Sequence, residues 1–208
     1  MLQFITNESD KYSHLEGAKL ALEGGCRWIQ LRMKKSSRDE IISVAQELKR
    51  ECERYDAILI IDDYPDIAIE IKADGVHLGK NDMNPIEARN LMGEEYIIGG
   101  TANCFEDIKI LVDANVDYIG LGPYRFTKTK EKLSPILGIN GYKDIIKKCR
   151  ENSINTPIVA IGGIKIDDIP ALIKSGANGV AISGYILRDD NPTLKTKEII
   201  NTLYENRE

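Results

Sequence analysis

The sequence predicts an α/β fold, a single (β/α)8 barrel of the TIM-barrel type, with residues 1–208 forming one domain. Three observations lead there. Short, nearly continuous apolar runs alternate with helical patterns along the whole chain, and there are eight such pairs. The runs carry apolar residues on both faces, as parallel strands covered on both sides do. The chain has 208 residues, enough for one domain and too few for two full-size ones. A barrel of this kind has about 250 residues on average, so the loops here must be short. An open doubly wound sheet alternates in the same way, and periodicity alone does not separate the two.

The expected strands are Leu2–Thr6, Trp28–Met33, Ala57–Asp62, Gly75–Gly79, Tyr96–Ala102, Tyr118–Pro123, Pro157–Gly163 and Gly179–Ile186. Helical spacing is clearest over residues 36–54. Ile41, Ala45, Leu48 and Cys52 fall on one face there, and Ser37 with Glu40 forms a candidate capping box. Further helices fit residues 15–24, 65–72, 85–92, 105–115, 140–152, 167–175 and 193–205, with Asp167 as a candidate cap. Ala-Asp-Gly-Val at 73–76 and Gly-Ala-Asn-Gly-Val at 176–180 read as one helix-to-strand turn used twice.

Composition narrows the function classes. The chain is 42% hydrophobic and 29% charged, with a net charge of −5 and no basic stripe, which argues against a nucleic-acid partner. No segment reaches the roughly 18–20 apolar residues of a membrane helix. The start, Met1 to Glu8, lacks a charged-then-apolar leader, so a cytoplasmic location is expected. Cys26, Cys52, Cys104 and Cys149 are widely spaced and read as free thiols. With two histidines, a His-rich metal site is excluded; His14 reads as a surface residue and His77 as a satisfied core residue.

In a barrel, chemistry sits where strands end and the next loop begins. Gln30, Arg32 and Lys34 share one face of the second strand. Two cations on a buried strand call for an anion or for acidic partners, although a solvated strand edge would carry the same pattern. Asp62 and Asp63 end the third strand and Asp82 follows the fourth. Hard oxygen ligands on separate loops suit Mg2+, which shares substrate phosphates; a helix cap and a turn are the plainer alternative. Thr127, Thr129 and Lys130 follow the sixth strand and offer hydroxyls and an amine to phosphate oxygens, or form an ordinary surface loop. Gly162 and Gly163 end the seventh strand, with Ser183 and Gly184 at the eighth. Phosphate sites in barrels often use these two loops, where glycine lets backbone N–H groups approach an anion. Cys104 has no neighbouring histidine and is not expected to be a nucleophile.

Taken in order, Gln30-Leu31-Arg32-Met33-Lys34, Asp62-Asp63, the run from Ala73 to Met83, Gly120-Leu121-Gly122-Pro123, Thr127-Lys128-Thr129-Lys130 and Ala160-Ile161-Gly162-Gly163-Ile164 resemble the thiamine phosphate synthase family over essentially the whole chain. The resemblance implies that Asp63 and Asp82 hold Mg2+. It assigns Arg32, Lys34 and Lys130 to the diphosphate of a pyrimidine substrate, as the groups that drive catalysis. Gln30, Asp62 and Thr101 would complete that substrate's site. Thr127, Thr129, Gly163, Ser183 and Gly184 would hold the phosphate of a thiazole substrate. Small-molecule substrates follow, and family members are often homo-oligomers. The chain departs from the family pattern at four positions: Asp62 replaces a usual asparagine, Thr101 and Gly184 replace usual serines, and Tyr64 stands where many members are basic. Three rival readings stay open. A thiazole tautomerase-like isomerase would need a histidine where Asn103 stands. A non-catalytic phosphate-binding barrel would carry a decayed site. A sugar-phosphate isomerase or epimerase would need an acid/base pair, for which the sequence places no candidate.

Overall fold

The computed structural model describes residues 1–126 and 135–206. Eight parallel strands form a closed ring in chain order: β1 (Leu2–Ile5), β2 (Trp28–Leu31), β3 (Ile58–Asp62), β4 (Gly75–Leu78), β5 (Ile97–Ala102), β6 (Tyr118–Leu121), β7 (Ile158–Ile161) and β8 (Gly179–Ile182). The seam decides between the two expected architectures. β1 pairs with β8 through Leu2 with Val180 and Phe4 with Ile182, so the sheet has no edge.

Helices α1 (His14–Glu23), α2 (Arg38–Arg54), α3 (Pro65–Glu70), α4 (Pro85–Met92), α5 (Phe105–Asp113), α6 (Gly138–Glu151), α7 (Ile169–Ser175), α8 (Gly184–Leu187) and α9 (Pro192–Glu205) cover the outside. The expected capping box starts α2: Ser37 accepts the Glu40 N–H, and the Glu40 carboxylate accepts the Ser37 N–H at 2.7 Å. The predicted face of α2, Ile41, Ala45, Leu48 and Cys52, is buried against the sheet. Each full-size apolar side chain there contributes about 1.5–3 kcal/mol. Truncating Leu48, which has no exposed surface, would cost about 2–5 kcal/mol. Asp168, not Asp167, closes the turn before α7 by accepting the Lys165 N–H at 2.9 Å. No helix among the described residues is long and apolar enough to cross a membrane.

Side chains alternate across each strand, and this gives the barrel two cores. Outward residues such as Phe4, Ile29, Leu59 and Ile119 pack under the helices. Inward residues form a smaller cluster of Ile5, Tyr118, Val159 and Ala181, joined by Trp28 and Ile97. The inner space also holds polar groups. Tyr118 donates to or accepts from His77 Nδ1 at 3.0 Å and accepts from Gln3 Nε2 at 3.1 Å, and His77 Nε2 meets Thr101 Oγ1 at 2.9 Å. Gly99 makes room for this: a Cβ there would lie 2.1 Å from Tyr118 Cζ.

Several strands are shorter than the sequence expectation: β2 stops at Leu31, which leaves Arg32 and Lys34 in the loop that follows it, and β6 stops at Leu121. The eighth strand stops at Ile182; Ser183 caps α8 and Gly184 is its first residue. The seventh stops at Ile161, because Gly162 (φ 99°) and Gly163 (φ 66°) leave the extended region.

Candidate active site

The C-terminal ends of β2, β3 and β4 bring six predicted residues together. Gln30 Nε2 donates to Asp62 Oδ1 at 2.5 Å. Arg32 Nε and Lys34 Nζ stand 3.6 and 3.5 Å from Asp62 Oδ2, and Lys34 Nζ donates to Asp63 Oδ2 at 2.5 Å. Asp82 Oδ2 accepts the Gly79 N–H at 2.7 Å, and its carboxyl is in hydrogen-bond contact with Asp63. Asp63 has φ of 69°, a left-handed conformation that aspartate tolerates better than most residues and that sets the direction of its carboxylate.

Electrostatics in this cluster are divided. Burial pushes the Asp62 carboxyl above its ordinary range, and Lys34 and Arg32 only partly offset that. Burial also raises Asp82, helped by the contact and charge of Asp63. Burial alone would lower the Lys34 ammonium, but Asp62 and Asp63 outweigh it and leave it above its usual value. Gln30 Oε1 and Asp62 Oδ2 are buried without a hydrogen-bond partner among the described residues. Such atoms are costly unless a ligand completes them.

The opposite side of the mouth, at β7 and β8, is a pocket of about 150 Å³. Gly162, Gly163, Ser183 and Gly184 line it, and so does Arg32, which therefore faces both regions. Ser183 Oγ is buried and has no partner among the described residues. Thr101 reaches the interior through His77. Thr127, Thr129 and Lys130 lie outside the described residues.

Sequence reasoning missed several neighbours. His14 is half-buried, not a surface residue: its Nδ1 lies 2.9 Å from Thr6 Oγ1, which in turn accepts the Arg32 N–H. Burial lowers its pKa. Gln3 and Tyr118 fix His77, yet nothing in their local sequence distinguishes them from ordinary strand residues. The reading of His77 as a satisfied core residue agrees with its two ring partners. All four cysteines are free thiols, and burial raises Cys26 to about 11 and Cys52 to about 12, so neither is a thiolate nucleophile near neutral pH. Asn103 donates its amide to the Gly122 carbonyl at 2.5 Å.

The family model described as thiamine monophosphate synthase matches residues 2–186. The chain belongs to that family. A thiamine-phosphate synthase of Bacteroides fragilis is 54% identical over 200 residues, covering 96% of this chain and 98% of the relative. A thiamine-phosphate synthase of Flavobacterium johnsoniae is 46% identical, covering 99% of this chain and 97% of the relative. Among solved structures, the thiamine phosphate pyrophosphorylase of Pyrococcus furiosus superposes with a TM-score of 0.88 at 29% identity, over 100% of this chain and 96% of its own. A 3-hexulose-6-phosphate synthase (TM-score 0.71, 18% identity) shares the barrel alone. In this chain an aspartate at position 62 is set between Gln30, Arg32 and Lys34.

Proposed function

We propose that the chain is a thiamine phosphate synthase, acting as one catalytic unit of residues 1–208 in the cytoplasm. It joins the methylene carbon of 4-amino-2-methyl-5-(diphosphooxymethyl)pyrimidine to the nitrogen of 4-methyl-5-(2-phosphooxyethyl)thiazole and releases pyrophosphate. The observation that carries this reading is the division of the mouth. One side gathers two cations and three carboxylates, and the other is a glycine-lined pocket. A diphosphate that leaves and a phosphate that does not react need such different surroundings.

Asp63 and Asp82 suit a divalent cation. They are hard oxygen donors from neighbouring strand ends, already in side-chain contact. Among the described residues no group of three or more His, Cys, Asp or Glu is placed to hold a metal. Mg2+ is commonly bound by one or two carboxylates together with substrate phosphates. When bound, Mg2+ supplies positive charge to the diphosphate oxygens.

The protein's own residues do the rest in this reading. Gln30 and Thr101 orient the pyrimidine. Arg32, Lys34 and Lys130 bind the diphosphate, with Asp62 bordering it. The C–O bond breaks first and its electron pair leaves with the diphosphate, whose developing charge Arg32, Lys34 and Lys130 stabilise. The pyrimidine amino group spreads the positive charge left on carbon. The thiazole nitrogen, held in place through its phosphate by Gly163, Ser183, Gly184, Thr127 and Thr129, then supplies the pair for the new C–N bond. No proton has to leave the reacting carbon, so no general base is required. That fits a His77 whose two ring nitrogens are both occupied by hydroxyl partners.

The test is direct. Purified protein is mixed with both substrates, with and without Mg2+, and thiamine phosphate and pyrophosphate are followed. Equal, Mg2+-dependent formation of both is expected. A folded, Mg2+-supplied sample that forms neither would overturn the proposal.

A further inference from the structure

Arg188 stands at the end of α8 and lines the β7–β8 pocket. Its guanidinium folds back over the start of its own short helix. A Cβ built on Gly184 would lie 2.4 Å from Arg188 Nη1 and 3.3 Å from Cζ. Gly184 is not among the residues with positive φ, so the backbone there does not require glycine. What the glycine provides is clearance for the guanidinium.

The carboxylates next to Arg188 in sequence are engaged elsewhere. Asp189 Oδ2 lies 3.4 Å from Lys195 Nζ, and Asp190 Oδ1 lies 3.4 Å from Lys11 Nζ. Among the described residues the Arg188 side chain has no ion pair and no hydrogen bond. An arginine is charged at every working pH. Here that charge lines the same pocket as two further cations, Arg32 and Lys165, and as Ser183, whose buried Oγ has no partner among the described residues. Three cations, an unsatisfied hydroxyl and two left-handed glycines around one pocket describe an anion site whose anion is supplied from outside. The planar fork of a guanidinium matches two oxygens of a phosphate.

We propose that Arg188 is a further substrate-binding residue, which grips the phosphate of the thiazole substrate from the β8 side and is admitted to the pocket by Gly184. The inference rests on the synthase reading above. Because that phosphate does not react, Arg188 contributes equally to substrate and transition-state binding, and its loss appears in KM for that substrate.

The experiment is steady-state kinetics of the wild type, Arg188→Ala, Gly184→Ala and the double variant, varying each substrate in turn. Arg188→Ala should raise KM for the thiazole phosphate about 10- to 100-fold, the size of one charge-assisted contact, with KM for the pyrimidine diphosphate unmoved. Gly184→Ala, by displacing the guanidinium, should act in the same direction and add little in the double variant. An unchanged thiazole-phosphate KM in Arg188→Ala overturns the proposal, and so does an equal rise in both KM values. If the wild type forms no thiamine phosphate, the synthase reading fails separately. Calorimetric titration with inorganic phosphate then decides on Arg188: weaker binding by Arg188→Ala supports it, and equal binding by both proteins overturns it.

Discussion

Across the barrel mouth, the β2–β4 side and the β7–β8 side solve different problems. On the first, Arg32 and Lys34 are already compensated by Asp62 and Asp63, and the carboxyls of Asp63 and Asp82 touch. Charge there is dense and held in balance before any ligand arrives. On the second, glycines with positive φ expose backbone, and Arg188 has no counter-ion among the described residues. A balanced cluster can exchange partners as charge develops on a leaving group, which is what a reacting diphosphate demands. An uncompensated pocket attracts a fixed anion and keeps it. The contrast separates residues expected to act on kcat from residues expected to act on KM.

The largest expected effect tests the charged side. Asp63→Ala should lower turnover by about 10²–10³-fold at fixed Mg2+ and abolish or greatly raise the Mg2+ requirement. An unchanged Mg2+ titration removes Asp63 from the metal site. Next, Lys130→Ala should lower kcat on the order of 10²-fold while leaving the circular dichroism spectrum as it is. If it instead raises only the thiazole-phosphate KM, the segment around residue 130 belongs with the pocket and the contrast must be redrawn. A smaller change is expected of Asp62→Asn. Removing a carboxylate that competes with the diphosphate for Arg32 and Lys34 should lower the pyrimidine-diphosphate KM by about 3- to 10-fold, equivalent to roughly 1 kcal/mol. A raised KM would show that Asp62 positions the two cations more than it competes. Smallest on turnover is Tyr118→Phe, which leaves Gln3 Nε2 and His77 Nδ1 without their partner. It should cost about 1–3 kcal/mol in urea unfolding, with kcat changed far less than by either charge variant.

Much of this was legible in the sequence, for reasons that particular residues make plain. Each strand buries a short apolar run, and α2 announces itself through the Ser37–Glu40 box and a clean helical face. The charged side was legible because Gln30, Arg32 and Lys34 alternate in sequence from β2 into the loop after it, and acidic residues end β3 and follow β4. What could not be read was contact between distant segments. Gln3, His77, Thr101 and Tyr118 come from four strands, and no local pattern links them. The end of β8 was overrun because Tyr185, Ile186 and Leu187 continue the apolar run, and a four-residue helix is too short to show a period. Arg188 carries no motif that singles it out in the sequence; its place on the pocket wall, with the two aspartates after it paired to Lys195 and Lys11, comes from the structure.

The chain of bonds inside the barrel has a consequence for assembly. A half-barrel of β1–β4 would carry Gln3 and His77, whereas β5–β8 would carry Thr101 and Tyr118. Neither fragment holds two consecutive links, so the relay exists only once the ring has closed. The orientation of the Thr101 hydroxyl at the mouth is thereby tied to circumferential completeness. Two separately expressed halves could regain it only by reassembling the whole cylinder.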